Sequence, residues 1–133
     1  MTLAATSHTL FIVPTRRGDG LMASIRGRML ALADPTEDRL APSTDEILIL
    51  SIASDLAWSA RRSLQAHGLA PEVNVTATWN KVDDPPRLAD VSMTVTVPAV
   101  AETISTALLS ALEQRAAARS LDGAPRVGLS YET

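Results

Sequence analysis

The chain has 133 residues and a mass of 14.1 kDa, with 46% hydrophobic residues, 20% charged residues and a formal net charge of −3. That size fits one domain, residues 1–133, which buries about two-thirds of its unfolded surface, and it leaves no room for two compact domains. The balance excludes a disordered chain and gives no electrostatic basis for nucleic-acid binding, while the absence of cysteine excludes a disulfide scaffold, a thiolate metal site and a cysteine nucleophile.

The first residues carry no basic n-region, and the apolar run Leu10-Phe11-Ile12-Val13 is too short for a signal-peptide core. Thr9 to Pro14 reads as a short strand and Thr15-Arg16-Arg17-Gly18-Asp19-Gly20 as a turn, because Asp-Gly supplies positive φ. Leu21 to Leu32 reads as a second, long strand that completes a hairpin. Asp34 to Pro42 is a loop, after which Ser43-Thr44-Asp45-Glu46 forms a capping box and opens a helix that runs to His67, with Gly68 as its stop and Pro71 beyond. The first half of this helix is apolar nearly all round, which marks it as a central buried helix. Its apolar stretch, Ile47 to Trp58, is interrupted by Ser51, Ser54 and Asp55 and is shorter than the roughly 20 residues of a membrane span. A cytoplasmic protein without membrane contact is expected.

Glu72 to Val82 alternates, with Val73, Val75, Ala77 and Trp79 on one face and Asn74, Thr76, Thr78 and Asn80 on the other. Asp83-Asp84-Pro85-Pro86 turns the chain into a returning strand in which Val91, Met93, Val95 and Val97 alternate with hydroxyl residues. Val100 to Arg119 has helical spacing, and a last strand covers Arg126 to Glu132. The order β-β-α-β-β-α-β, with strands in hairpins and separate helices, defines an α+β class with mostly antiparallel sheets.

Two charges interrupt this pattern. Asp55 is the only ionisable residue between Glu46 and Arg61, inside the most apolar part of the chain. On the second helix, at 100° per residue, Ile104, Leu108, Ala111 and Arg115 fall within about 60° of one another, which puts Arg115 in the middle of the apolar stripe. Opposite charges on the buried faces of two helices suggest an Asp55–Arg115 ion pair where the helices pack. The alternative is that Asp55 lines a water-filled groove and Arg115 extends to solvent.

The stretch from Ser43 to Asp55, followed by Leu56 to Pro71 and a strand hairpin, resembles the osmotically inducible protein C and organic hydroperoxide resistance (OsmC/Ohr) family. In that family a polar, acidic segment opens a central helix that carries a reactive cysteine, and a later helix carries a second cysteine. The resemblance implies an OsmC-like fold with antiparallel sheets around two long helices in an intertwined homodimer. It matches the peroxide-attacking cysteine to Asp55, the resolving cysteine to Arg115, an active-site Glu to Asp45, and an active-site Arg to Arg16 or Arg17. A carboxylate cannot reduce an O–O bond as a thiolate does, so thiol peroxidase activity is excluded.

The remaining signals are structural. His8 and His67 are too few and too far apart for a metal site, and no cofactor motif is present. Arg61-Arg62 reads as a complement to the dipole at the end of the first helix, with anion or partner binding as the other option. Trp58 and Trp79 are core or dimer-interface anchors or, for Trp58, part of a ligand surface. Three functions fit: a homodimer that binds a small organic ligand through Arg16 or Arg17, Asp45, Asp55, Trp58 and Arg115; an enzyme with acid–base chemistry at Asp55 and Arg115; or a degenerate, purely structural relative of the peroxidases.

Overall fold

A computed structural model describes residues 9–15, 20–32, 42–83, 86–100, 102–118 and 125–132. Its elements are β1 (Phe11–Pro14), β2 (Leu21–Ile25), β3 (Arg28–Leu32), α1 (Thr44–Ala66), β4 (Asn74–Asp83), β5 (Pro86–Pro98), α2 (Glu102–Ala118) and β6 (Arg126–Glu132). The strands form two three-stranded sheets, β1-β2-β3 and β4-β5-β6, and the architecture is α+β as expected. The chain clusters into two compact units, Met1–Ile47 and Leu48–Thr133.

In the first unit, β1 and β2 form the expected antiparallel hairpin, closed by the Thr15 N–H donating to the Gly20 carbonyl at 3.0 Å. The long second strand read from the sequence is in fact two strands, which adds one element to the expected order. Ile25 pairs with Arg28 across a two-residue turn in which Arg26 and Gly27 both have positive φ, 51° and 76°. That is the backbone of a type I′ hairpin turn. Periodicity missed it because strand-forming residues continue on both sides, and Arg occupies the position where Asn or Asp usually signals the turn. In this sheet Ala23 is buried, whereas Phe11, Ile12, Leu21, Ile25, Met29 and Leu30 are exposed.

The capping box that starts α1 forms as its residues dictate. The Glu46 N–H donates to Ser43 Oγ at 3.2 Å, and the Ser43 N–H donates to Glu46 Oε1 at 3.0 Å. Two otherwise orphaned donors of the first turn are thereby satisfied reciprocally. The other end closes on Gly68, φ 69°, with the Leu69 N–H on the Leu64 carbonyl and the Gly68 N–H on the Gln65 carbonyl. These two bonds define a Schellman cap, and Leu69 packs back on the core as that motif favours.

In the second unit one face of the β4-β5-β6 sheet meets both helices. Met93, Val95 and Val97 of the central strand β5 are fully buried, with Val75, Ala77 and Trp79 of β4 and Val127 and Leu129 of β6 packed beside them. Helix α1 contributes Ile49, Ile52, Leu56, Ala60 and Leu64, and α2 contributes Leu108, Leu112 and Ala116. Each set recurs at three- and four-residue intervals and so lies on one stripe of its helix. β4 and β5 pair antiparallel, but β5 and β6 pair parallel, with Val95 opposite Leu129, so this sheet is mixed. A hydrogen bond between the Ser105 and Tyr131 hydroxyls ties α2 to β6. The β4–β5 register shifts between Thr78 and Asn80, where Asp90 takes a positive φ of 53° and accepts a hydrogen bond from Asn80 Nδ2 at 3.1 Å.

Two expectations about the helices change. Helix α1 is buried on one face only, because Leu50 and Trp58 remain 60% and 58% exposed within a single chain. The centre of the α2 stripe runs through Leu112 instead of Ala111, which is exposed, so Arg115 sits at the border of the stripe and not in its middle.

Candidate functional site

Asp55 lies in the interior of α1, one residue before the fully buried Leu56, and Arg115 lies in the last turn of α2, one residue before the fully buried Ala116. The core contacts of those neighbours fix the two helices against one sheet face and bring the charges together across their border. Arg115 Nε donates to Asp55 Oδ2 at 2.8 Å and Arg115 Nη2 donates to Asp55 Oδ1 at 2.6 Å. Such a two-point contact uses the planar fork of arginine against both carboxylate oxygens and fixes orientation as well as distance. The pair read from the sequence therefore forms, and the groove alternative does not hold.

The contact is closed without being sealed. The Asp55 side chain is 15% exposed and that of Arg115 is 39% exposed. Hydrogen bonding to Asp55 and the attraction of its negative charge raise the already high pKa of Arg115, against a smaller opposing effect of burial. Arg115 is thus a permanent cation at this site. Helix α2 continues past it to Ala118, with no proline to interrupt it.

Trp58 follows Asp55 by three residues on α1 and is exposed. The Arg61 guanidinium lies over its ring, 5.7 Å from the centroid, in a cation–π arrangement. This corrects the dipole reading of Arg61, since the last turn of α1 contains no basic residue and Arg61 stands before it. Trp79 packs on the core. His67 donates from Nδ1 to the Ser63 carbonyl at 2.8 Å and so serves the helix end. No group of three or more metal-ligating side chains occurs among the described residues.

Asp45 occupies the first turn of α1, where a carboxylate complements the positive helix end, and belongs to the first of the two units. Arg16 and Arg17 lie outside the described residues, as does His8. The structure thus brings together Asp55 and Arg115 and places Trp58 one turn after Asp55 on α1. The stacking of Arg61 on Trp58 was missed, although the three-residue spacing of an aromatic and a cation on one helix could have revealed it.

No protein-family model matches the chain, and no curated protein sequence matches it. Solved structures do. A putative osmotic stress induced and detoxification response protein from Psychrobacter arcticus superposes with a TM-score of 0.76 at 14% identity, over 98% of this chain and 100% of that one. An OsmC-like protein from Mycoplasma pneumoniae gives 0.74 at 13% identity, over 97% and 98% of the two chains. An organic hydroperoxide resistance protein OsmC from Legionella pneumophila gives 0.70 at 15% identity, over 98% and 100%. The fold is that of OsmC and Ohr proteins, carried by a chain with no cysteine.

Proposed function

We propose that the protein is a cysteine-free OsmC-like homodimer that binds a small organic molecule beside the Asp55–Arg115 pair and does not reduce peroxides. The observation that carries this reading is the two-point contact of Arg115 with Asp55, the residues matched to the two family thiols. A two-cysteine thiol peroxidase would need a thiolate at one of these positions to attack the O–O bond and a second thiol to resolve the product. Neither position offers a nucleophilic sulfur.

Support for a binding role comes from the partial exposure of Arg115 and from the exposed Trp58 one turn away from its partner. A polar contact next to an apolar plate is what orients a small organic molecule. Acid–base catalysis is less well supported, because a general base needs a carboxylate oxygen directed at a substrate and both oxygens of Asp55 already accept from Arg115. The closed contact also favours a second reading, in which the pair serves only to hold α1 against α2.

Assembly as a homodimer is supported by apolar side chains that a single chain leaves open, Leu50 on α1 and Phe11, Ile12 and Met29 in the first sheet. No helix among the described residues is long and apolar enough to cross a membrane. The cytoplasm is the compartment that fits this reading, with the 133 residues acting as one OsmC-like domain.

Three measurements test the proposal. Light scattering should give about twice the mass of 14.1 kDa, and a monomer would refute the dimer. Cumene hydroperoxide should persist in the presence of protein and a dithiol reductant, and turnover by pure protein would refute the loss of peroxidase chemistry. A thermal-shift screen of organic molecules should find stabilising compounds in the wild type that lose their effect in Trp58→Ala; a screen without any hit favours the purely structural reading.

A further inference from the structure

We propose that the Asp55–Arg115 pair is an anion receptor, in which Asp55 holds the Arg115 guanidinium so that its outer edge takes the carboxylate of an aromatic acid whose ring lies on Trp58. This rests on the binding role above and specifies the ligand class.

A guanidinium carries five N–H donors in one rigid plane. Asp55 takes the Nε donor and one of the two on Nη2. One N–H on Nη2 and both on Nη1 remain, and among the described residues no other acceptor engages them. The Nη1–Nη2 edge presents two parallel donors, the fork that a second carboxylate accepts. Of the two partners Asp55 is the more shielded, with its side chain 15% exposed against 39% for that of Arg115. The inner edge is therefore the fixed one and the outer edge the one a ligand can reach.

Fixation matters because a free arginine side chain gives up rotamer entropy when it is held in place. Asp55 has already imposed that order, so an incoming anion meets a preorganised fork. Asp55 is thus a positioning residue that acts through Arg115. Arg61 and Arg62 stand on the same helix within seven residues of Asp55 and add positive charge to this stretch of α1.

The aromatic part of the ligand is specified by Trp58. Residues three apart on a helix have Cβ atoms about 5–6 Å from each other, so the indole adjoins the carboxylate that pins Arg115. The indole is 58% exposed and backed by Arg61, which leaves it as a plate for a flat ring. A carboxylate with a short tether to an aromatic ring satisfies both contacts. An inorganic anion satisfies only the first, and a neutral hydrophobe only the second.

The test is isothermal titration calorimetry of the full chain with 3-phenylpropionate and 3-phenyl-1-propanol, which share ring and tether and differ in the head. The acid should bind at least about tenfold more tightly, the size of one charge-assisted contact. Arg115→Gln should abolish this preference while the alcohol binds as before, and Trp58→Ala should weaken both compounds. Asp55→Asn, which puts an amide donor against the fork, should reduce the preference for the acid and spare the alcohol. Arg115→Lys keeps the charge without the fork and should recover only a minor part of the preference, which keeps the test valid if Arg115→Gln does not fold. Equal affinity for the two compounds, or a preference that survives in a folded Arg115→Gln or is fully retained in Arg115→Lys, overturns the receptor while leaving a binding role intact. Binding of neither compound overturns both.

Discussion

Replacing Leu56 with alanine and, separately, Leu50 with alanine compares one side chain on two faces of one helix. Leu56 is fully buried beneath α1, whereas Leu50 is 60% exposed in a single chain. Three carbons leave the core in Leu56→Ala, worth about 2.4 kcal/mol at roughly 0.8 kcal/mol per methylene. The cavity left behind raises the cost to about 3–4 kcal/mol, inside the range of roughly 2–5 kcal/mol typical of such changes. With an unfolding entropy of about 2.1 cal/mol/K per residue, a chain of 133 residues loses about 3–4 °C per kcal/mol, so the melting temperature should fall by about 10–14 °C. Leu50→Ala should cost about 0.5 kcal/mol or less in an isolated chain. If a second copy covers this face, the loss becomes larger and depends on protein concentration, because association then contributes to stability. Differential scanning calorimetry of both variants over a wide concentration range measures each quantity. A fall below about 4 °C for Leu56→Ala would refute the one-sided burial of α1.

In a double-mutant cycle, Asp55→Ala and Arg115→Ala should each lower the melting temperature, and the double variant should melt well above the sum of the two losses; additive losses would show that the contact is not formed in solution. A group whose folded pKa is raised contributes stability that is complete below its unfolded pKa and disappears only as pH rises through the folded value. The contribution from Arg115 should therefore be constant across the neutral range and vanish only in strong alkali, as followed by thermal melts against pH. Ser43→Ala removes one arm of the capping box and should cost about 1 kcal/mol in urea denaturation, with Ser43→Asp close to neutral. Gly68→Ala forces a side chain into the left-handed region and should cost about 1–2 kcal/mol in the same assay even though nothing obstructs the new Cβ.

Much of this was legible in the residues because it is local. Ser43 and Glu46 specify their own hydrogen bonds, Gly68 specifies its own φ, and strict alternation from Val73 to Trp79 fixes which side of β4 meets the core. The Asp55–Arg115 contact was legible for a different reason, since a lone charge in an apolar helix needs a partner and Arg115 stood within the apolar spacing of the facing helix. The turn at Arg26-Gly27 escaped because its chemistry is carried by a single glycine. The placement of Arg115 at a border was lost because Ala111, with its small side chain, fits either a stripe or a surface. The stripe of α1 was hidden by Leu50 and Trp58, which are apolar yet exposed and so blur the boundary of the buried face.

The parallel pairing of β5 with β6 carries a consequence for how the chain reaches its structure. β4 and β5 are consecutive antiparallel strands and can pair early, because local contacts cost little loop entropy. β6 cannot join the other edge of β5 until the chain has crossed over through α2, which ties completion of the sheet to the placement of that helix. Until then β5, which carries Met93, Val95 and Val97, presents an open edge and an uncovered apolar face. Such an intermediate can pair with another chain instead of with its own last strand. Substitutions that slow the docking of α2, such as those at Leu108 or Leu112, should therefore lower the yield of refolding by aggregation more than their effect on equilibrium stability alone would suggest.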